Sequence, residues 1–572
     1  MLAASFAIAF PDIGVVGPLA AHYLRAGRKY DGVGKTKDAV AAFQRGLAAA
    51  EGESAGPELD ATLTQLHEGL ADAAVFGGDP VLAATHYTAA LQLSPHLTDC
   101  WCRFANLQLK VGKYQEAIAL YLQALKRNSR HWAARANLAQ ALMATQQYIL
   151  AKAVLLELKG ERPQEARIHF QLGKTRFELN EVELALQSFQ QAVTLEPEDA
   201  ESLNWIGALK QTMGDGAGAQ AAYAEAARIQ PLISRPAARS PAEFRLLALY
   251  APFGGNTPTE YLFQDAFYDT ETLALLASRD YHDTLFGENV QLVINLISDA
   301  DQTDALLPVA ADLVDRFGLP TVNHPRRIGM TTRDAVAGLL EGIPNCRVPK
   351  ALRLKAGADR SPDALRAMLP FSCPILARPV GTHGGDDFEK IEDHAPLAAF
   401  LSRHSAHDCY LTQYIDYRSE DGYFRKYRFI FVDGEILPYH LCIGSDWKLH
   451  HISTDMANQP WMQREEEAFL NEPDAVLAPA HYQALQTIRQ RVGLEYCGID
   501  CALDACGNLV VFEVNASMLV HARNEDFPYK APAVSRIKHA FDEMLRRFAK
   551  SGETPIRFTL TSVPVPAASP SV

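Results

Sequence analysis

The chain has 572 residues, more than one hydrophobic core usually serves, so two to four domains are expected. A composition of 48% hydrophobic and 21% charged residues is that of a globular protein, and the net charge of -14 argues against nucleic acid or an anionic membrane as the main partner. Nine cysteines without Cys-x-x-Cys pairs fit neither a disulfide framework nor a zinc site, and no apolar run is long enough to span a membrane, so a cytoplasmic chain with reduced thiols is expected.

Residues 1–19 form an apolar N-terminal segment without a basic start, and Pro11 cuts the run short, which does not describe a signal peptide. From 20 to 233 the text repeats with a period of about 34 residues. A unit starting at Thr98 carries Trp101, Ala105, Gly112, Tyr114, Ala117, Tyr121 and Ala124. The unit from Ala166 carries Leu172, Gly173, Ala185, Phe189, Ala192 and Pro197; that from Ala200 carries Ile206, Gly207, Ala219, Tyr223, Ala226 and Pro231. Further copies start at Thr64 and Trp132, with an outlying one near Ala20. The pattern resembles the tetratricopeptide repeat, and implies an all-α solenoid of about six repeats. Such an array offers a concave groove for a peptide or protein, or serves as a spacer or oligomerisation module. Asn106 and Lys110 are only scattered candidates for a clamp on a peptide carboxylate.

Residues 234–243, rich in Pro, Arg and Ser, read as a linker. In 244–328, apolar runs at 244–250 and 290–297 alternate with a helical pattern at 304–317, which predicts a small α/β domain. Gly254-Gly255 after the first run reads as a tight turn.

Residues 329–549 make the next domain. A helix is expected at 330–340, with Thr331 or Thr332 at its cap, and an extended segment at 342–349. An apolar strand then delivers Arg378 into a loop containing Gly381, Gly384 and Gly385. These glycines suit close approach of backbone N–H groups to phosphate oxygens, and suit a plain hairpin turn equally. A strand follows at 409–416, then a hairpin turning at Val432-Asp-Gly-Glu435, with Arg428 and Ile430 on one face. Trp447-Lys448-Leu-His-His451 is a basic, aromatic loop.

The stretch 498–517 reads as a second hairpin. If Cys506-Gly507 is a two-residue turn, Asp500 falls opposite Glu513, and Asn515 projects from the same face. Two carboxylates and an amide oxygen suit a hard cation such as Mg²⁺; a polar sheet face is the other reading. Residues 550–572, rich in Pro, Ser and Ala, read as a disordered tail.

Taken in order, the cationic strand, glycine loop, apolar strand, Arg-bearing hairpin and Asp…Glu-x-Asn hairpin resemble the ATP-grasp superfamily. The likeness is to the catalytic half of glutathione synthetases, D-alanine–D-alanine ligases and ribosomal glutamate ligases. It implies an α+β ATP-grasp fold over 329–549 with a lid at about 346–407, preceded by its usual α/β companion. It implies ATP as nucleotide, with Mg²⁺ (or Mn²⁺) held by Asp500, Glu513 and Asn515. Arg378 stands where most members carry a lysine to the phosphates, and Arg333 is a second phosphate-binding cation. Thr412, Gln413, Tyr414 and Ile415 match the segment that reads adenine through its backbone, Gln413 replacing a common glutamate, and Asp416 suits a ribose hydroxyl. Arg428, with Arg378 and Lys448, would act on phosphate and acyl groups. The implied activity is a carboxylate–amine ligase working through an acyl phosphate, the repeats recruiting the substrate. The alternatives are a kinase acting on a hydroxyl and a repeat scaffold with an inactive nucleotide-binding half.

Overall fold

A computed structural model describes residues 18–277, 281, 289–382, 387–449, 454–521 and 524–551. The expectations placed on residues 1–17, Gly384, Gly385, His450, His451 and 552–572 lie outside the described residues. The chain divides after Ile229 into two compact units.

The first unit is all-helical. Its described residues form twelve helices, from Leu19–Asp31 to Gly216–Ile229, packed as successive pairs. The pairing follows from small residues on one helix meeting a large one on the next. A Cβ added at Gly173 would lie 2.7 Å from the Phe189 ring, and one at Gly207 would lie 2.7 Å from the Tyr223 ring. Where Ala71, Ala105 and Ala139 occupy the same position, the facing residues are Tyr87, Tyr121 and Leu155, all buried. The turn inside each pair needs a residue at positive φ. Gly34, Gly78, Gly112 and Gly214 supply it, and Gln146 and Asn180 adopt it at the equivalent places. No pair buries its apolar stripe alone, so the run forms one solenoid.

The second unit contains three sheets. In the first, β1 (Leu232–Arg235), β2 (Arg245–Tyr250), β3 (Asp269–Ala274), β4 (Leu292–Asn295) and β5 (Thr321–Val322) take the order β1-β3-β2-β4-β5. All pairings are parallel except that of β1 with β3. This corrects the sequence boundary at 233 and the linker at 234–243. Residues 232–235 are an edge strand of the second unit, because Pro231 ends the last helix and the extended segment before Pro236 pairs with β3.

β6 (Cys346–Arg347) belongs elsewhere in the fold. The second sheet holds β7 (Ala351–Leu354), β8 (Ile375–Pro379), β9 (Glu389–Ile391) and β10 (Cys409–Gln413), in the antiparallel order β7-β10-β8-β9. Helices Pro362–Met368 and His394–Arg403 cover it, and Leu354, Leu365, Phe400 and Leu411 give it a core of its own. The lid read at about 346–407 therefore shifts to 351–413: Pro349 breaks the chain after β6, and β10 completes the sheet.

β11 (Phe424–Val432), β12 (Glu435–Gly444), β13 (Tyr496–Leu503) and β14 (Leu509–Asn515) form the third sheet, with β6 at its edge, in the order β12-β11-β13-β14-β6. On one face Phe429, Phe431 and Ile499 pack on Phe469 and Leu485; on the other Ile430, Val432 and Tyr496 pack on Phe541 and Leu545 of helix Ala531–Ser551.

The glycine–aromatic fit yields a test of the solenoid. Gly173→Val forces side-chain atoms into the buried Phe189 ring and is expected to cost about 1–3 kcal/mol in urea unfolding. Gly160→Val, where an added Cβ meets nothing within 4 Å, is expected to change little.

Candidate functional site

The site is built on the row of residues that crosses the third sheet. Asp500 on β13 pairs with Glu513 on β14 on one side and with Arg428 on β11 on the other. The turn is not the two-residue one that the sequence suggested. Residues 504–508 form a longer loop, in which the Asp504 carboxylate accepts from the N–H groups of Cys506 and Asn508. A bulge between Asp500 and Cys501 leaves Phe512 as the extra residue on β14. The bulge restores the register that the longer loop shifts, so Asp500 still faces Glu513.

Asp500 is buried, 3% exposed, in a sheet otherwise made of apolar side chains. Arg428 holds it from two nitrogens, Nε at 2.6 Å and Nη2 at 2.9 Å, and Lys426 Nζ lies 3.2 Å away. Burial pushes the Asp500 carboxyl up, but the two cations outweigh burial and hold it well below the usual carboxylate range. Glu513 also stays low: burial raises it, and Arg333, 3.4 Å away, lowers it more. Asn515 donates from Nδ2 to Glu513 Oε1 at 2.6 Å, while its Oδ1 accepts from the Ser517 N–H.

These groups open on a cavity of about 280 Å³. The third sheet supplies Lys426, Arg428, Asp500 and Glu513; the second supplies Leu376, Arg378, Thr412 and Gln413, followed by Tyr414 and Ile415. Arg333 enters at the first turn of helix Arg333–Leu339, and Lys448 comes from the loop after β12. Five cations (Arg333, Arg378, Lys426, Arg428, Lys448) face two carboxylates, and five minus two leaves three positive charges. A cavity of that sign in a chain of net charge -14 is suited to a polyanion.

Arg378, 8% exposed, lies over the Phe388 ring at 5.3 Å, and its Nε donates to Thr382 Oγ1 at 3.2 Å, which ties the strand to the glycine loop. Lys448 Nζ donates to the Phe388 carbonyl at 3.3 Å. Trp447 packs edge-on against Phe388 and Tyr414. The wall is thus cationic and aromatic together, the chemistry that takes a ring bearing phosphates.

Ten of the residues singled out from the sequence line the cavity: Arg333, Arg378, Thr412, Gln413, Tyr414, Ile415, Arg428, Lys448, Asp500 and Glu513. Three described ones do not. Asn515 stands behind Glu513. The Asp416 carboxylate is held by Arg418, at 2.7 Å. Gly381 turns the chain at φ +80°, and its carbonyl accepts from Gln302 Nε2. Lys426 was missed, although it lies two residues before Arg428 and so on the same strand face. Phe388 and Phe512 carried no sequence signal, one being in a loop and the other in a bulge.

Among the described residues no group of three His, Cys, Asp or Glu side chains can hold a metal ion. The donor set fits Mg²⁺ in its usual manner, which needs one or two carboxylates and takes the remaining oxygens from phosphate and water. Asp500 and Glu513 are the two carboxylates, and Asn515 is the adjacent amide.

The row continues to the edge of the sheet, where His440 on β12 pairs with Arg428. His440 Nδ1 meets the carboxylate of Glu466, which is wholly buried and also accepts from Leu441 N–H (3.1 Å), Tyr529 Oη (2.6 Å) and Lys530 Nζ (3.1 Å).

Comparisons with known proteins bear on the first unit. Two tetratricopeptide repeat models match, at residues 108–172 and 166–199. The N-terminal helices are tetratricopeptide repeats. Anaphase-promoting complex subunit 3 of Dictyostelium discoideum is 34% identical over 95 residues, which are 17% of this chain and 10% of that one, so the match spans about a tenth of the relative. Among solved structures, MamA of Desulfovibrio magneticus RS-1 is 20% identical, covering 29% of this chain and 95% of its own, with a TM-score of 0.29. A tetratricopeptide repeat protein of Parabacteroides merdae is 19% identical, covering 39% and 82%, with a TM-score of 0.33. No helix among the described residues is long and apolar enough to cross a membrane.

Two measurements check the electrostatics. Arg428→Met leaves buried Asp500 with Lys426 alone, and is expected to lower the unfolding free energy by about 3–5 kcal/mol in urea melts. Burial pushes the Glu466 carboxyl up, but the hydrogen bond from His440, with Lys530 and Tyr529, holds it at about 2 against an ordinary 4.5. Because the folded value is the lower one, this stabilisation is complete above pH 4.5 and is lost as pH falls towards 2. Melts of Glu466→Gln are expected to show a flatter pH dependence than wild type across that window.

Proposed function

We propose that the second unit is an ATP- and Mg²⁺-dependent carboxylate–amine ligase of the ATP-grasp kind, with the repeats recruiting a protein or peptide substrate or partner. The observation that carries this reading is the cavity with five cations around the Arg428–Asp500–Glu513 row. Its three excess positive charges suit a triphosphate, and the aromatic wall of Phe388, Tyr414 and Trp447 suits a base. Asp500, Glu513 and Asn515 would hold Mg²⁺, which supplies charge neutralisation at the phosphates.

The chain's own part is placement. Arg378 and Arg428 orient the γ-phosphate and a substrate carboxylate so that the carboxylate oxygen attacks phosphorus and the bond to ADP breaks. The amine then displaces phosphate from the acyl phosphate to give the amide. Cavity residues from both sheets surround the reacting groups, and their exclusion of water protects the acyl phosphate from hydrolysis. Recruitment by the repeats is supported by the likeness to a protein named as a subunit of a complex.

The test is ATP turnover by the full chain with pools of amino acids, peptides and amines, products being weighed. Amide products with ADP and phosphate in equal amounts are expected, and Glu513→Gln is expected to lower the rate at least about 100-fold. Phosphorylated products would favour a kinase instead, and turnover unchanged in Glu513→Gln would refute the assignment.

A further inference from the structure

Resting on the ligase reading, one group in the molecule is left without a chemical use. His440 lies on β12 in register with Arg428, on the strand row that carries Asp500 and Glu513. Its Nδ1 faces the ionised Glu466 carboxylate. A ring lone pair against a carboxylate oxygen is repulsive, so Nδ1 carries the hydrogen and donates it to Glu466. That leaves Nε2 with the lone pair. Nε2 is buried and has no hydrogen-bond partner among the described residues, so it is an acceptor without a donor.

The surroundings keep the ring neutral. Burial disfavours the imidazolium first; Glu466 favours it; Lys530 Nζ, 2.9 Å from Nδ1, and Arg428 disfavour it, and the balance is a lowered basicity. Every element packed on the ring contributes: Glu466 from helix Pro460–Asn471, Tyr529 and Lys530 from the turn Pro528–Lys530, and Arg428 from β11. Burying Glu466 and Lys530 beside an apolar sheet is costly unless the arrangement is used. A carboxylate-held imidazole with a free, unprotonated nitrogen is the arrangement of a general base.

Amide formation needs one. The acceptor amine is an ammonium ion at neutral pH and has no lone pair to attack with. We infer that His440 Nε2 takes a proton from the acceptor ammonium, with Glu466 as the positioning residue that fixes the ring. The N–H bond breaks to Nε2; the freed nitrogen lone pair forms the bond to the acyl carbon; the carbon–oxygen bond to phosphate breaks, and phosphate leaves with the electron pair. The acceptor is therefore an N–H donor that enters beside Arg428 at the β12 side of the row.

The test uses the full chain, ATP, Mg²⁺, and a pool of amino acids and dipeptides as carboxylates. The acceptor is either the pool's ammonium groups or hydroxylamine, which is already uncharged at neutral pH and needs no base. Wild type is expected to form both amides and hydroxamates. His440→Asn is expected to keep hydroxamate formation within about three-fold and to lose amide formation by about 10²–10⁴-fold in kcat. Glu466→Gln, which keeps the volume, is expected to lose amide formation in part, with the pH profile displaced and KM unchanged. Equal loss of both products in His440→Asn overturns the base and leaves a structural residue, and equal retention of both overturns it too. Wild type that releases no ADP with either acceptor overturns the ligase reading itself.

Discussion

The ion pair between Asp500 and Arg428 is the interaction on which the second unit's chemistry depends. A carboxylate 3% exposed between apolar strands is tolerable only with a cation held to it, and the guanidinium meets it from two nitrogens. The pair fixes β11 against β13 in register, and the register then sets everything else on that face. Glu513 falls on one side of Asp500 and His440 on the far side of Arg428, so acidic, basic and imidazole groups stand in one line across four strands.

That line explains how a strongly acidic chain presents a positive cavity. The cations come from four places: β11, β8, the start of a helix and the loop after β12. None is a basic run in sequence, and the charge appears only when the second sheet lies beside the third. The second sheet has its own core, so its cavity wall is built independently of the surface it faces. The repeats are a separate construction, held by glycine against aromatic ring from pair to pair.

Much of this could be read from the residues because it rests on local spacing. The repeat period survives in Gly173, Phe189, Gly207 and Tyr223, since each fills a volume that its partner leaves. The Arg428 strand and the Asp500–Glu513 pairing were legible from period-two alternation. The turn that led to the pairing was misread, and a bulge at Phe512 offset the error. What was not legible depends on distant segments. β1 looks like a linker because its four residues become a strand only by pairing with β3, 37 positions away. Glu466 and Lys530 look like ordinary surface charges, and only the fold buries them against the sheet edge beside His440.

The central claim is that the cavity holds the phosphates of a nucleotide with a divalent metal on the Asp500–Glu513 pair. A crystal structure of the chain grown with Mg²⁺ and a non-hydrolysable ATP analogue tests it directly. The account predicts phosphate oxygens within hydrogen-bond distance of Arg378 and Arg428, metal contacts to Asp500 and Glu513, and the base beside Tyr414. A nucleotide bound elsewhere, or a cavity without one at saturating concentration, would contradict it.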